Sequence, residues 1–273
     1  MAKRLPIFKI NKVYNENALL MLQRVPDNFI ALTVTSPPYD HLRFFEKKIK
    51  LNTKADVIYD FSFEKIASEL YRTTNEGGVL VWVVGDATIN GSETGNSFKQ
   101  ALFFIELGFK LNDTMIYLKN SAPFPAGKHK RYSQVFEYMF VFTKGKPKTV
   151  NLIKDKPNKE HGSIVEGTNR QKDGTFKRGK KREVGEFGYR DNVWKMSNRN
   201  ISEITKQHPA IFPEKLAEGH ILTWSKKGDL VCDPFCGSGT TLKMAKINKR
   251  NFIGCDISEE YCQLSKLRIK EIK

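Results

Sequence analysis

The feature that most constrains this chain is a set of short apolar runs, each ending abruptly at a polar or glycine-bearing turn. Residues 29–35 (FIALTVT) run into Ser36-Pro37-Pro38-Tyr39. Residues 79–84 (VLVWVV) end at Gly85-Asp86, and residues 229–233 (DLVCD) end in a glycine-rich turn. Runs of this length, rich in β-branched residues and without polar alternation, predict strands buried on both faces. Stretches of helical periodicity lie between them, at 18–25 (stopped by Pro26), 61–73, 97–107 (ended by Gly108), 213–224, 240–248 and 259–270. Gly77-Gly78 is expected to break the second of these from the strand that follows. Further strands are predicted at 109–118, 135–143 and 251–256, and residues 40–56, charged and aromatic without clean periodicity, as a mobile loop. Alternation of this kind implies an α/β fold, a mostly parallel sheet with helices on both faces.

Charge narrows the partners. The 273 residues carry a formal net charge of +16, which favours a polyanion such as nucleic acid. Residues 144–206 hold 17 Lys/Arg against 8 Asp/Glu, with Phe176, Phe187, Tyr189 and Trp194 interleaved. That mixture predicts a small basic insertion touching DNA, with Lys177, Arg178, Lys180, Lys181 and Arg182 as its densest cluster. The expected division is 1–143, an insertion at 144–206, then 207–273. Cys232, Cys236, Cys255 and Cys262 lack zinc-site spacing, so they read as buried free thiols in a reducing compartment, with no metal. No secretory leader and no apolar run near the roughly 20 residues needed to span a bilayer is visible, which predicts a cytoplasmic chain with no membrane partner.

The most specific local pattern is Asp233-Pro234-Phe235-Cys236-Gly237-Ser238-Gly239-Thr240-Thr241, a strand ending in an acid and turning through glycines into a helix. Glycines there allow close backbone approach to a ligand. Neither a Walker loop nor a full GxGxxG is present, which argues against a triphosphate or a dinucleotide and hence against an oxidoreductase. About twenty residues on, the next strand ends in Asp256, where an acid can accept hydrogen bonds from ribose hydroxyls. DPFCGSGTT resembles the cofactor motif of the S-adenosylmethionine-dependent DNA amino-methyltransferases. The resemblance implies a Rossmann-like class I methyltransferase fold binding S-adenosylmethionine. Asp233, Pro234, Phe235, Gly237, Ser238, Gly239 and Thr240 would then lie on the methionine side, with Thr35 and His208 beside them and Asp256 at the ribose. Residues 79–86 look like the strand closing the far side of that pocket, which makes Asp86 a candidate contact.

Ser36-Pro37-Pro38-Tyr39 is a stiff turn at a strand end, because each proline fixes its own φ and restricts the residue before it. Carbonyls are exposed there without competing N–H groups. An exocyclic base nitrogen is a poor nucleophile, its lone pair being delocalised into the ring. Two acceptors on its N–H bonds favour a more tetrahedral nitrogen, and the Ser36 hydroxyl and Pro37 carbonyl are the candidates. Tyr39 would stack on a base flipped out of the duplex. TSPPY resembles the catalytic motif of the same family, in which Ser rather than Asp at the first position is typical of cytosine N4 enzymes. The resemblance therefore implies a site-specific cytosine N4 methyltransferase acting on double-stranded DNA, with adenine N6 as the alternative and a catalytically silent DNA-binding protein as a third reading. The catalytic motif precedes the basic insertion and the cofactor motif comes last, which matches the circularly permuted β class. A cognate restriction endonuclease and a homodimer are the two protein partners left open.

Overall fold

A computed structural model describes residues 8–38, 47–50, 58–120, 131–197 and 213–272, with backbone only for 47–50 and 58–61. Among the described residues, eight strands build the main sheet: β1 (Lys12–Asn15), β2 (Ile30–Thr35), β3 (Thr74–Val84), β4 (Lys110–Lys119), β5 (Phe136–Thr143), β6 (Val193–Met196), β7 (Leu230–Asp233) and β8 (Asn251–Asp256). Six helices accompany them within the same residues: α1 (Ala18–Arg24), α2 (Phe63–Thr73), α3 (Asn96–Glu106), α4 (Glu214–Trp224), α5 (Thr240–Ile247) and α6 (Glu259–Lys270). Across the sheet the order is β1-β8-β7-β2-β3-β5-β4-β6. Of these eight, β5 alone runs against the rest, pairing antiparallel with β3 and β4.

Central strands buried on both sides explain the unbroken apolar runs. In β3, Leu80, Trp82 and Val84 join the core with Leu22, Ile66, Leu70 and Phe104 from α1, α2 and α3. Val79, Val81 and Val83 face the opposite core, with Leu216, Ile221, Leu242 and Ile269 from α4, α5 and α6. Period-two alternation thus serves two cores at once. Lys144, in the turn after β5, is buried yet satisfied: its Nζ donates to Asn28 Oδ1, the Tyr71 carbonyl and the Thr74 carbonyl at 2.8, 2.9 and 3.0 Å. It also lies 4.6 Å from the Tyr71 ring centroid, so one side chain ties the starts of β2 and β3 to the end of β5.

Gly77-Gly78 does not break the chain. Gly77 takes φ +74° and bends the strand, while its N–H donates to the Lys144 carbonyl at 2.6 Å, so β3 starts directly after α2. Within 40–56, Lys47–Lys50 pairs antiparallel with Ile58–Phe61, which moves the start of α2 from 61 to Phe63; the remainder of that expected loop lies outside the described residues. β1 and β6 were not anticipated. Trp194, read as part of the basic insertion, belongs to β6; it is buried and stacks on His220 at 4.7 Å.

Residues Leu152–Asp191 form a second compact unit, narrower than the 144–206 expected from composition. Its main feature is a two-stranded antiparallel ribbon, Ile164–Arg170 with Phe176–Glu183. Lys156–Pro157 pairs with Phe187–Gly188, and the Arg190 N–H donates to the Ile153 carbonyl at 2.9 Å, so the unit's two ends lie together.

Candidate active site

From β7 the chain proceeds outward to β8 on one side, and from β2 outward to β3 on the other. The carboxyl ends of these neighbours therefore form a topological switch point, where open α/β sheets bind ligands. Both motifs singled out in the sequence end there. Asp233 closes β7 and Thr35 closes β2, and the Thr35 hydroxyl donates to Asp233 Oδ1 at 2.7 Å. The Thr241 hydroxyl donates to the Val34 carbonyl at 3.1 Å, a second tie between the two segments. Segments 198 residues apart thus become one constellation. Ser36 and Pro38 are half-buried and Pro37 is buried at its rim. Tyr39 and His208 lie outside the described residues.

The glycine turn is held from three sides. Gly237 and Gly239 take φ +48° and +79°, a backbone that side chains disfavour. The Gly237 N–H donates to Asp256 Oδ2 at 3.1 Å, and the Phe235 N–H to Asp233 Oδ1 at 3.1 Å. A Cβ on Gly239 would fall 2.1 Å from Ser265 Oγ, so α6 packs against the bare backbone. Behind the turn, the buried Arg268 donates from Nη1 to the Ser238 carbonyl (2.7 Å) and the Ser238 hydroxyl (2.9 Å), with the Thr240 hydroxyl at 3.3 Å. Its Nη2 donates to Glu214 Oε1 at 2.8 Å, an oxygen shared with Lys243 at 2.6 Å. The side chains of Ser238 and Thr240 are thus used on the protein side, and their backbone is what they can offer a ligand. The Phe235 ring meets Trp82 edge-on at 6.3 Å, at the top of the first core.

The charge state of two carboxyl groups sets the chemistry of the site. Burial pushes the Asp233 carboxyl up to about 7, against the pull of hydrogen bonds from Thr35, Thr241 and the Phe235 N–H, and the nearby Asp256 charge adds to the rise. Burial raises Asp256 as well, although backbone N–H groups of Ser258, Gly237 and Ile257 favour its charged form. Among the described residues neither carboxylate has a Lys or Arg partner at ion-pair distance. Two buried carboxylates without a cation suit a ligand that brings positive charge. S-adenosylmethionine, with its sulfonium and ammonium groups and its ribose hydroxyls, fits that set.

The remaining candidates separate by role. Asp86 is committed to α3: it accepts from the Ser97 N–H at 3.1 Å, the Thr94 hydroxyl at 3.0 Å and the Ser97 hydroxyl, and so caps that helix. Cys232, Cys236, Cys255 and Cys262 are free and buried around the turn, and burial raises all four thiols. No metal-binding cluster occurs among the described residues. Lys177, Arg178, Lys180, Lys181 and Arg182 are exposed on the 176–183 strand of the small unit. Arg268 escaped the sequence reading. Its signal was the position of an arginine on the apolar stripe of α6, in helical register with the buried Leu264 and Ser265.

The DNA methylase profile that joins N6 and N4 enzymes matches residues 30–267. The orphan methyltransferase M.BamHII of Bacillus amyloliquefaciens is 53% identical over 257 residues, covering 92% of each chain. Among solved structures, the cytosine-N4-specific PvuII DNA methyltransferase superposes with a TM-score of 0.66 at 19% identity, covering 97% of this chain and 92% of that one. A DNA modification methylase of Thermus thermophilus in complex with S-adenosyl-L-methionine superposes with a TM-score of 0.60 at 22% identity, covering 94% and 92%.

Proposed function

The chain belongs to the N6/N4 DNA methylase family, and we propose that within it this protein transfers a methyl group from S-adenosylmethionine to the exocyclic N4 of cytosine in duplex DNA. The observation that carries this reading is the Thr35–Asp233 hydrogen bond, which fastens the Ser36-Pro37-Pro38 turn to the glycine turn. A rigid link between a donor site and an acceptor site is what a one-step transfer needs, because placement of the reacting atoms supplies much of the rate.

Bound S-adenosylmethionine supplies a methyl group activated by a sulfonium. In the proposed arrangement the backbone of 235–240 and the two carboxylates Asp233 and Asp256 hold its methionine and ribose ends. The Ser36 hydroxyl and Pro37 carbonyl accept the two N–H bonds of the target amino group and turn its lone pair toward the methyl. A carbon–nitrogen bond forms as the carbon–sulfur bond breaks. The electron pair of the broken bond would stay on sulfur in the departing S-adenosylhomocysteine, and the proton shed by the nitrogen would pass to solvent water. Tyr39 stacks on the flipped base. Ser36, where adenine enzymes of the family typically carry Asp, favours cytosine. The four buried thiols suit a reducing, cytoplasmic setting.

The test is to incubate the protein with mixed-sequence duplex DNA and methyl-labelled S-adenosylmethionine, digest, and identify the labelled nucleoside by mass. N4-methylcytosine is expected. N6-methyladenine would overturn the cytosine assignment, and absence of label with intact cofactor binding would point to a silent DNA-binding protein.

A further inference from the structure

The ribbon of the small unit is not a regular hairpin. Glu166 stands opposite Lys181 and Thr168 opposite Arg178, two residues of advance on one strand against three on the other. Gly179 and Lys180 therefore share Gly167 as their opposite number, which is a β-bulge on the 176–183 strand. A Cβ on Gly179 would lie 3.0 Å from the Gly167 carbonyl, so glycine is what lets the strands close there.

The bulge decides which side chains share a face. Residues directly opposite one another in an antiparallel pair point to the same side, and alternate residues to opposite sides. Arg182 stands opposite Val165, and Lys177 opposite Asn169. Both, together with Lys180, fall on the face of Gly167. Without the bulge, Lys177 and Lys180 would point to opposite faces. With it, Lys177, Lys180 and Arg182 form one row, and no acid of the ribbon shares their side. The other face carries Arg170, Arg178 and Lys181, but also Glu166, directly opposite Lys181, and Glu183. One face is uncompensated cation and the other is nearly neutralised from within. All six cations are exposed.

We propose that the bulge-built face of Lys177, Lys180 and Arg182 is the surface that meets duplex DNA, the ribbon lying along the major groove with its mixed face toward solvent. This rests on the reading that the chain methylates duplex DNA. Two strands fit the major groove of undistorted duplex, whereas the narrower minor groove admits them only when the duplex is deformed. Three like charges in a row are unfavourable alone and become favourable against phosphates.

The test removes equal charge from opposite faces of one ribbon. Lys177→Gln/Lys180→Gln/Arg182→Gln is compared with Arg170→Gln/Arg178→Gln/Lys181→Gln in the full chain. Binding to a mixed-sequence duplex is measured at several salt concentrations, with S-adenosylhomocysteine affinity as the folding control. The first variant is expected to lose at least about tenfold in DNA affinity and to flatten the log–log salt slope by about 2–3 units, since each phosphate contact contributes roughly 0.9. The second is expected to shift the slope by less than about one unit. Equal losses in both variants would show that charge and not face matters, and overturn the proposal. So would unchanged DNA binding in both. A wild-type chain that binds DNA but labels no nucleoside would instead defeat the methyltransferase reading and leave the comparison of faces intact.

Discussion

At the scale of single residues, the site is organised by Asp233. It terminates β7, receives the Thr35 hydroxyl and carries a carboxyl that burial pushes up to about 7. The sign of its effect on stability follows. A folded-state value above the unfolded one means that the native chain holds a proton the unfolded chain has already released. Stability from Asp233 is therefore complete below about pH 4 and is lost as pH rises through about 7. Comparison with Asp233→Asn isolates this contribution. The thermal midpoint of wild type minus that of the variant should fall between about pH 4 and pH 7 and then level off; a flat difference would show that the carboxyl is ionised throughout. In the same window a cationic ligand favours the ionised form, so S-adenosylmethionine affinity should rise with pH in wild type and stay level in Asp233→Asn.

Among elements, α6 shows why some of the site was legible in the sequence and some was not. The glycine turn stood out because its composition is extreme, and the apolar runs because central strands are buried on both sides. Nothing in the turn itself revealed that Ser265 and Arg268, more than twenty residues on, shape it. Such a template is a tertiary contact, and spacing rules see only local geometry. The same limit hid the ribbon strands: neither of their faces is buried, so no apolar alternation marks them. β1 and β6 are four residues each and find their identity in parallel pairing with β8 and β4. Gly77-Gly78 reads as a stop from local composition, whereas in the fold Gly77 bends a strand that continues. The α6 template makes a prediction. Gly239→Ala meets a backbone cost of about 1–2 kcal/mol at φ +79°, and its methyl also collides with Ser265. Calorimetry should show a thermal midpoint lower by several degrees and weaker S-adenosylhomocysteine binding. Adding Ser265→Gly should relieve the collision and return part of the lost stability, though not the backbone share. Full stability in Gly239→Ala alone would mean that α6 does not template the turn.

Seen as a whole molecule, the chain separates its tasks. One unit carries the sheet and the switch point, and the small unit, with its two ends held together by the Arg190–Ile153 hydrogen bond, interrupts the chain between β5 and β6. The Ser36-Pro37-Pro38 turn lies before that interruption and the glycine turn after it, so their meeting at Thr35 and Asp233 requires the finished sheet. All four cysteines fall after the interruption, within 232–262, and all are shielded. The protein thus carries a built-in clock. In the native state a thiol-specific dye should find little to react with, because burial both covers the sulfurs and disfavours thiolate. Each labelling event records an opening within residues 232–262, and no sulfhydryl elsewhere adds background. Under native conditions the uptake of dye should be slow and should slow further with S-adenosylhomocysteine, while duplex DNA alone should change it little. Rapid stoichiometric labelling of the resting protein would mean that this segment breathes far more than its packing implies.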